Sequence, residues 1–342
     1  MVAELELRKG EFEDKTVETI YFGGGTPSLL SLEELQLLMD SVYKNYDVSQ
    51  APEITLEANP DDLSEKVILQ LSQSPINRLS VGIQSFFEAD LKLMNRAHDA
   101  FEARQCLEMA TRYFDNISLD LIYGIPGSTS QQWKENIEMA LSFGVNHISS
   151  YALTVEPKTA LASFIEKGVV ENVDDALAER QFHILTETLA NSGFVHYELS
   201  NFGKEGYFSR NNSAYWQGKS YLGIGPSAHS FNGVQRSWNV RNNAKYIKTI
   251  ENKELPSEIE TLTTTDKYNE YVMTGLRTIW GVSLEKVRHD FGKVYEDYLL
   301  ITSQRHIKKH LLYIEDDKLL VTKKGKFLSD GIASDLFKIN NH

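Results

Sequence analysis

Thr19-Ile-Tyr-Phe-Gly-Gly-Gly-Thr-Pro27 is an apolar run that stops at three consecutive glycines. The first half reads as a strand. The second half is a turn whose backbone N–H groups stand open to a carboxylate or phosphate, because no side chain shields them. Four more runs of this kind follow: Glu53–Glu57 before Ala-Asn-Pro, Arg78–Gln84, Ser118–Tyr123 before Gly-Ile-Pro-Gly, and His147–Leu153. Their ends fall near residues 25, 57, 84, 124 and 154, about 30 residues apart, the length of one strand-plus-helix unit. Helix-period stretches fill the gaps at Ser31–Tyr43, Ser64–Ser72, Phe101–Tyr113 and Gln131–Phe143. Ser31 and Glu34 have the spacing of a capping box. Strict alternation predicts an α/β fold with a parallel sheet and right-handed crossovers, either open or curled into a partial barrel.

Composition limits the function. The chain has 342 residues, 41 % of them hydrophobic and 24 % charged, and a net charge of −13. The acidic balance argues against a nucleic-acid partner. No apolar run approaches the roughly 20 residues of a transmembrane segment, and the first fifteen residues lack the apolar core of a signal peptide. A cytoplasmic location is expected. One cysteine, Cys106, allows neither an internal disulfide nor a site of several thiolates. The nine histidines show no metal-ligand spacing, so no metal site is expected.

Polar residues at the strand ends are the candidate site. In a parallel sheet, ligands bind at the carboxyl ends of the strands. Glu57 and Gln84 close the second and third strands there. Arg96, in Leu-Met-Asn-Arg-Ala-His, lies just beyond and suits a carboxylate. Asp120 sits within Ser-Leu-Asp-Leu-Ile-Tyr-Gly, where an apolar strand makes an unpartnered charge costly. Past residue 160 the rhythm breaks. Asp174–Ser192 reads as one helix, and 196–238 as short strands and loops rich in Gly, Asn and aromatics. Residues 265–342 read as helices and then a hairpin across Asp316-Asp317, a winged-helix-like order.

Taken in order, TIYFGGGTPSLL, EITLEANPDDL, RLSVGIQSF, LMNRAH, SLDLIYGIPG, SRNNSAYWQG and YLGIGPSAHS resemble the radical S-adenosylmethionine (SAM) proteins of the oxygen-independent coproporphyrinogen oxidase family. Within that family they are most similar to the HemW branch of haem chaperones. The resemblance runs from about residue 17 to the C-terminus. It implies a partial (β/α)6 barrel, here lacking its first strand, over residues 1–205, and a family-specific helical or winged domain over 206–342. Thr19–Phe22 is then expected at a sheet edge. It implies SAM contacts at Gly24, Gly25, Thr26, Glu57, Gln84, Arg96 and Asp120. It also implies a [4Fe–4S] cluster held by C-x-x-x-C-x-x-C, a motif this chain lacks. Haem or porphyrin is implied as ligand, and haem-requiring proteins as clients. Asn211 stands where the branch has its motif histidine, and His229 is the nearest substitute by sequence. Catalytic residues stay unassigned. The alternative reading is an enzyme, an anaerobic coproporphyrinogen III dehydrogenase.

Overall fold

The computed structural model describes residues 1–12 and 15–339. In chain order, helix α1 (Val2–Leu7) precedes β1 (Val17–Phe22), α2 (Leu32–Asn45), β2 (Val48–Ala58), α3 (Glu65–Ser72) and β3 (Arg78–Gln84). Then come α4 (Glu88–Leu93), α5 (Ala100–Tyr113), β4 (Ile117–Tyr123), α6 (Ser130–Ser142), β5 (His147–Ala152), α7 (Ala160–Glu166) and α8 (Asp175–Asn191). Two short strands follow, β6 (Val195–Glu198) and β7 (Asn201–Gly203), and then α9 (Arg210–Trp216). The rest is β8 (His229–Phe231), β9 (Gln235–Asn239), α10 (Asn243–Glu251), β10 (Ser257–Thr261), α11 (Thr264–Arg277) and β11 (Val282–Ser283). The chain closes with α12 (Leu284–Phe291), α13 (Lys293–Lys308), β12 (Leu312–Glu315), β13 (Lys318–Val321) and α14 (Ser329–Asp335).

The chain divides into two compact units. One comprises residues 18–36 and 51–209, the other 1–17, 37–50 and 210–342. The boundary drawn from sequence at 205/206 is a single cut, whereas this division groups two N-terminal segments with the C-terminal residues.

In the first unit a seven-stranded sheet has the order β1-β2-β3-β4-β5-β7-β6 and curls into a half-barrel. The β2–β3, β3–β4 and β4–β5 pairs are parallel, as the alternation predicts. β1 lies at the edge. The five strands expected of this chain become seven, because β6 and β7 extend the sheet antiparallel at its other edge.

The two faces of this sheet differ in chemistry. Ile54, Leu56, Leu79, Val81, Leu119, Leu121 and Ile148 are buried, the pattern of strands packed under helices. The alternate positions are polar: Thr55 pairs with Arg78, Ser80 with Ser118, Ser118 with His147, and Asp120 with Ser149. Partners in register share a face, so the inner face is lined by small hydroxyls and charges instead of bulky apolar groups. One hydrogen-bonded chain crosses it. Ser118 Oγ meets His147 Nδ1 at 2.7 Å, and His147 Nε2 meets the Tyr197 hydroxyl at 2.7 Å. Ser118 Oγ also lies 3.2 Å from Ser149 Oγ, which donates to Asn201 Oδ1 at 3.0 Å.

The second unit holds two small sheets. β8–β10 form an antiparallel sheet, as do β11, β13 and β12. The β12–β13 turn places Asp316 and Asp317 at φ 45° and 60°, the left-handed pair that a two-residue hairpin needs. Tyr268, Val272, Val287, Leu299 and Leu319 pack one core beneath helices α11–α13. Residues 196–238, expected as short strands and loops, contain helix α9. The Asn211-Asn212-Ser213-Ala214 sequence has no apolar period to announce it.

Helix α1 is fixed within the same unit by a buried carboxylate. Glu4 accepts from the Gly225 amide at 2.8 Å, from Asn239 Nδ2 at 2.6 Å and from the Tyr246 hydroxyl. Arg8 donates to the Gly223 carbonyl at 3.0 Å and grips Glu11 with two bonds of 2.9 Å. Gly223 tolerates no side chain, because a Cβ would lie 2.1 Å from the His229 carbonyl oxygen. Two glycines of the Tyr221–Phe231 stretch therefore serve packing and the seating of α1.

Candidate functional site

The triple glycine follows β1 and stays exposed. Gly24 and Gly25 have φ of 75° and 68°, and a Cβ on either would touch nothing within 4 Å. This is an open cradle of backbone amides. Gly23 is different: a Cβ there would strike the Tyr21 ring at 2.6 Å. Tyr21 explains that constraint. Its hydroxyl donates to Glu57 Oε1 at 2.7 Å, while the Gly24 amide donates to Oε2 at 3.1 Å. Two donors from the first strand and its turn thus fix the carboxylate that ends the second. Nothing in the local sequence around Tyr21 announces this role beyond its position two residues before the glycines, on the same strand face as Gly23.

A second chain of bonds starts at Arg96. Its Nη2 donates to Asn59 Oδ1 at 2.8 Å and to the Gly82 carbonyl at 3.3 Å. Asn59 reaches Asp62 at 3.4 Å, and Ser28 donates to Asp62 at 2.7 Å. Arg96 Nε is buried and has no hydrogen-bond partner. Gln84 adopts φ 67° at the end of β3, and its amide would lie 2.9 Å from a Cβ on Gly82. Gly82 is glycine so that Gln84 and Arg96 can cross it.

Asp120 completes the set. Burial, and then the Glu57 charge, push its carboxyl up to about 7, opposed by the Ser149 hydroxyl, Arg78 and Arg96. A carboxyl in that range changes charge near neutrality. Tyr151 is 45 % exposed. Burial of its hydroxyl and the neighbouring Asp120 charge raise its pKa.

The structure thus joins Gly24 to Glu57 directly, sets Asp120 within reach of the Glu57 and Arg96 charges, and brings Gln84 and Arg96 together over Gly82. Gly25 adds an open amide beside the Gly24 amide that Glu57 takes. Among the described residues no hydrogen bond joins the Thr26 side chain to the others; its carbonyl accepts from the Leu29 amide at 3.1 Å to close a short 3-10 turn.

These residues suit an amino-acid moiety. A fixed carboxylate meets an ammonium, while the open Gly25 amide and the Arg96 charge suit a carboxylate. An iron–sulfur cluster does not fit. Cys106 is buried on α5, where burial and the Asp61 charge push its thiol up to about 12. Among the described residues no group of three or more His, Cys, Asp or Glu side chains could hold a metal.

A curled, largely parallel sheet with polar groups at its carboxyl ends is an architecture that radical SAM proteins share. Residues 2–140 match the radical SAM superfamily and 262–328 the HemN C-terminal domain. The coproporphyrinogen III oxidase HemN of Escherichia coli, a radical SAM enzyme, has a similar fold. The TM-score is 0.80 at 22 % identity, over 98 % of this chain and 81 % of that one. The heme chaperone HemW of Lactococcus lactis is 33 % identical over 94 % of this chain and 85 % of its own length. That of Bacillus subtilis is 33 % identical over 92 % and 84 %. The chain belongs to the HemW family.

Proposed function

We propose that the protein is a haem chaperone that binds SAM at the mouth of the half-barrel and passes haem to haem-requiring clients in the cytoplasm. The observation that carries the chaperone reading is the similarity to HemW relatives along nearly the whole chain. Glu57, oriented by Tyr21 and Gly24, takes the ammonium of SAM. The Gly25 amide and the positive charge of the Arg96 guanidinium complement its carboxylate, and Gln84 and Asp120 line the rest of the mouth. In radical SAM proteins a [4Fe–4S] cluster supplies the electron that cleaves SAM; the residues of this chain do not hold one, and no radical step is assigned to it. No helix among the described residues is long and apolar enough to cross a membrane.

The test is paired. Calorimetry with SAM, and an absorbance titration with hemin, should each show saturable binding at one site per chain. Incubation with coproporphyrinogen III should leave it unchanged. Turnover of coproporphyrinogen, or failure to bind hemin, would overturn the chaperone reading.

A further inference from the structure

Within the C-terminal unit the β8–β9 pair carries a partly exposed aromatic face, on which Arg236 is ion-paired to Glu270 of α11. His229 pairs in register with Trp238, and Phe231 with Arg236. Tyr221 bridges to Phe231. Register partners project to the same side, so all five share one face. The rings form two neighbouring groups on that face, His229 with Trp238 and Tyr215 with Tyr221 and Phe231. His229 and Trp238 have centroids 6.2 Å apart, Tyr221 and Phe231 6.2 Å, and Tyr215 and Tyr221 5.1 Å. Tyr215 is 51 % exposed. His229 is exposed while the next residue, Ser230, is buried, as the alternation of a strand on a packed core requires.

We propose that this face is the haem site, with the His229 imidazole as an axial ligand to the iron. The inference rests on the haem-binding reading above. These rings, tilted by 33° to 42° within each pair, offer a flat, apolar macrocycle aromatic surface on one strand face beside an exposed imidazole. A neutral imidazole nitrogen is a common protein ligand to haem iron. The step is a ligand exchange: the His229 lone pair forms one bond to iron, a bound solvent molecule leaves, and no electron moves.

Other histidines fit worse. His147 and His98 are buried and hydrogen-bonded at 2.7 and 3.1 Å. His196 lies flat on Phe202 at 4.1 Å. His289 is engaged by Asp290 at 2.7 Å. Asn211, at the start of α9, offers a carboxamide, a poor ligand for haem iron.

The test is a hemin titration of the full chain, followed by its Soret band and by electron paramagnetic resonance. The wild type should show an imidazole-ligated spectrum. His229→Ala should lose that signature and bind hemin roughly tenfold more weakly, with far-ultraviolet circular dichroism unchanged. His229→Met should replace the imidazole signature with a thioether one. Asn211→Ala should keep the wild-type spectrum. An unaltered spectrum in both His229 variants overturns the assignment while leaving haem binding standing. Absence of hemin binding by the wild type overturns both.

Discussion

Glu57 shows how a single carboxylate becomes a receptor. Left alone on a strand end it would sample several rotamers; Tyr21 and Gly24 hold it in one. Glu57→Gln removes the charge that an ammonium needs. Hydrogen bonds to charged groups contribute about 1.5–3 kcal/mol, so SAM affinity measured by calorimetry should fall roughly ten- to hundredfold. Tyr21→Phe, which removes one of the two orienting donors, should cost less, roughly tenfold at most. Asp120 adds a pH dependence. Its carboxyl titrates near 7, above the ordinary value of 3.8. The folded state therefore holds a proton that the unfolded chain has released, and stability contributed by this group falls as pH rises from about 4 through 7. SAM carries a positive sulfonium and favours the ionised form. Its affinity should then rise between pH 6 and 8 and level off above, and Asp120→Asn should flatten the profile. A wild-type profile without slope across that interval would refute the role.

At the scale of elements, helix α1 has only six residues and no side-chain N-cap. Isolated helices of that length are unstable in water. It persists because Glu4 is buried among Asn239, Gly225 and Tyr246. Deleting one member of a buried charged network strands the others, at about 3–5 kcal/mol. Glu4→Ala should therefore lower the thermal midpoint by several degrees, with Glu4→Gln intermediate. Equal midpoints for the three proteins would show that α1 is not held this way. Strand β3 was legible to the residue, because Arg78–Gln84 is bounded by polar turns and filled with β-formers. The strand-end site was partly legible for the same reason: a parallel sheet sends its loop-proximal polar groups to one end. Tyr21 and Gly82 were not, since Tyr21 acts through Glu57 on the next strand and Gly82 through the side chains of Gln84 and Arg96 folded across it. Nor was α9, whose helix former Ala214 stands among Asn, Ser and aromatics. Glu4 looked like any surface glutamate, and its burial depends on partners more than 220 residues away.

For the molecule as a whole, the cysteine count governs iron chemistry. A [4Fe–4S] cluster normally takes three or more thiolates, and Cys106 is one, buried, with a raised pKa. Anaerobic incubation of the 342-residue chain with iron and sulfide should leave no stoichiometric iron after desalting, and 5′-deoxyadenosine should not accumulate from SAM. Cys106 should react with a disulfide reagent slowly in the native protein and rapidly in denaturant. Retention of close to four irons per chain would contradict both the composition and the placement of that thiol.

The hydrogen-bonded chain across the inner face has a consequence for how the barrel comes apart. His147 joins Ser118 on β4 to Tyr197 on β6, and its neutral ring needs one nitrogen as donor and the other as acceptor. Burial, and then the Arg78 charge, hold its pKa well below the usual imidazole value. The stability it confers is full above about pH 6.5 and shrinks as the pH falls toward that depressed native value. One proton therefore acts as a latch release. In mild acid, deuterium should enter the amides of β6 and β7, held by short antiparallel pairings, before those of β3 and β4. Simultaneous labelling of all four strands would mean the sheet opens as a block.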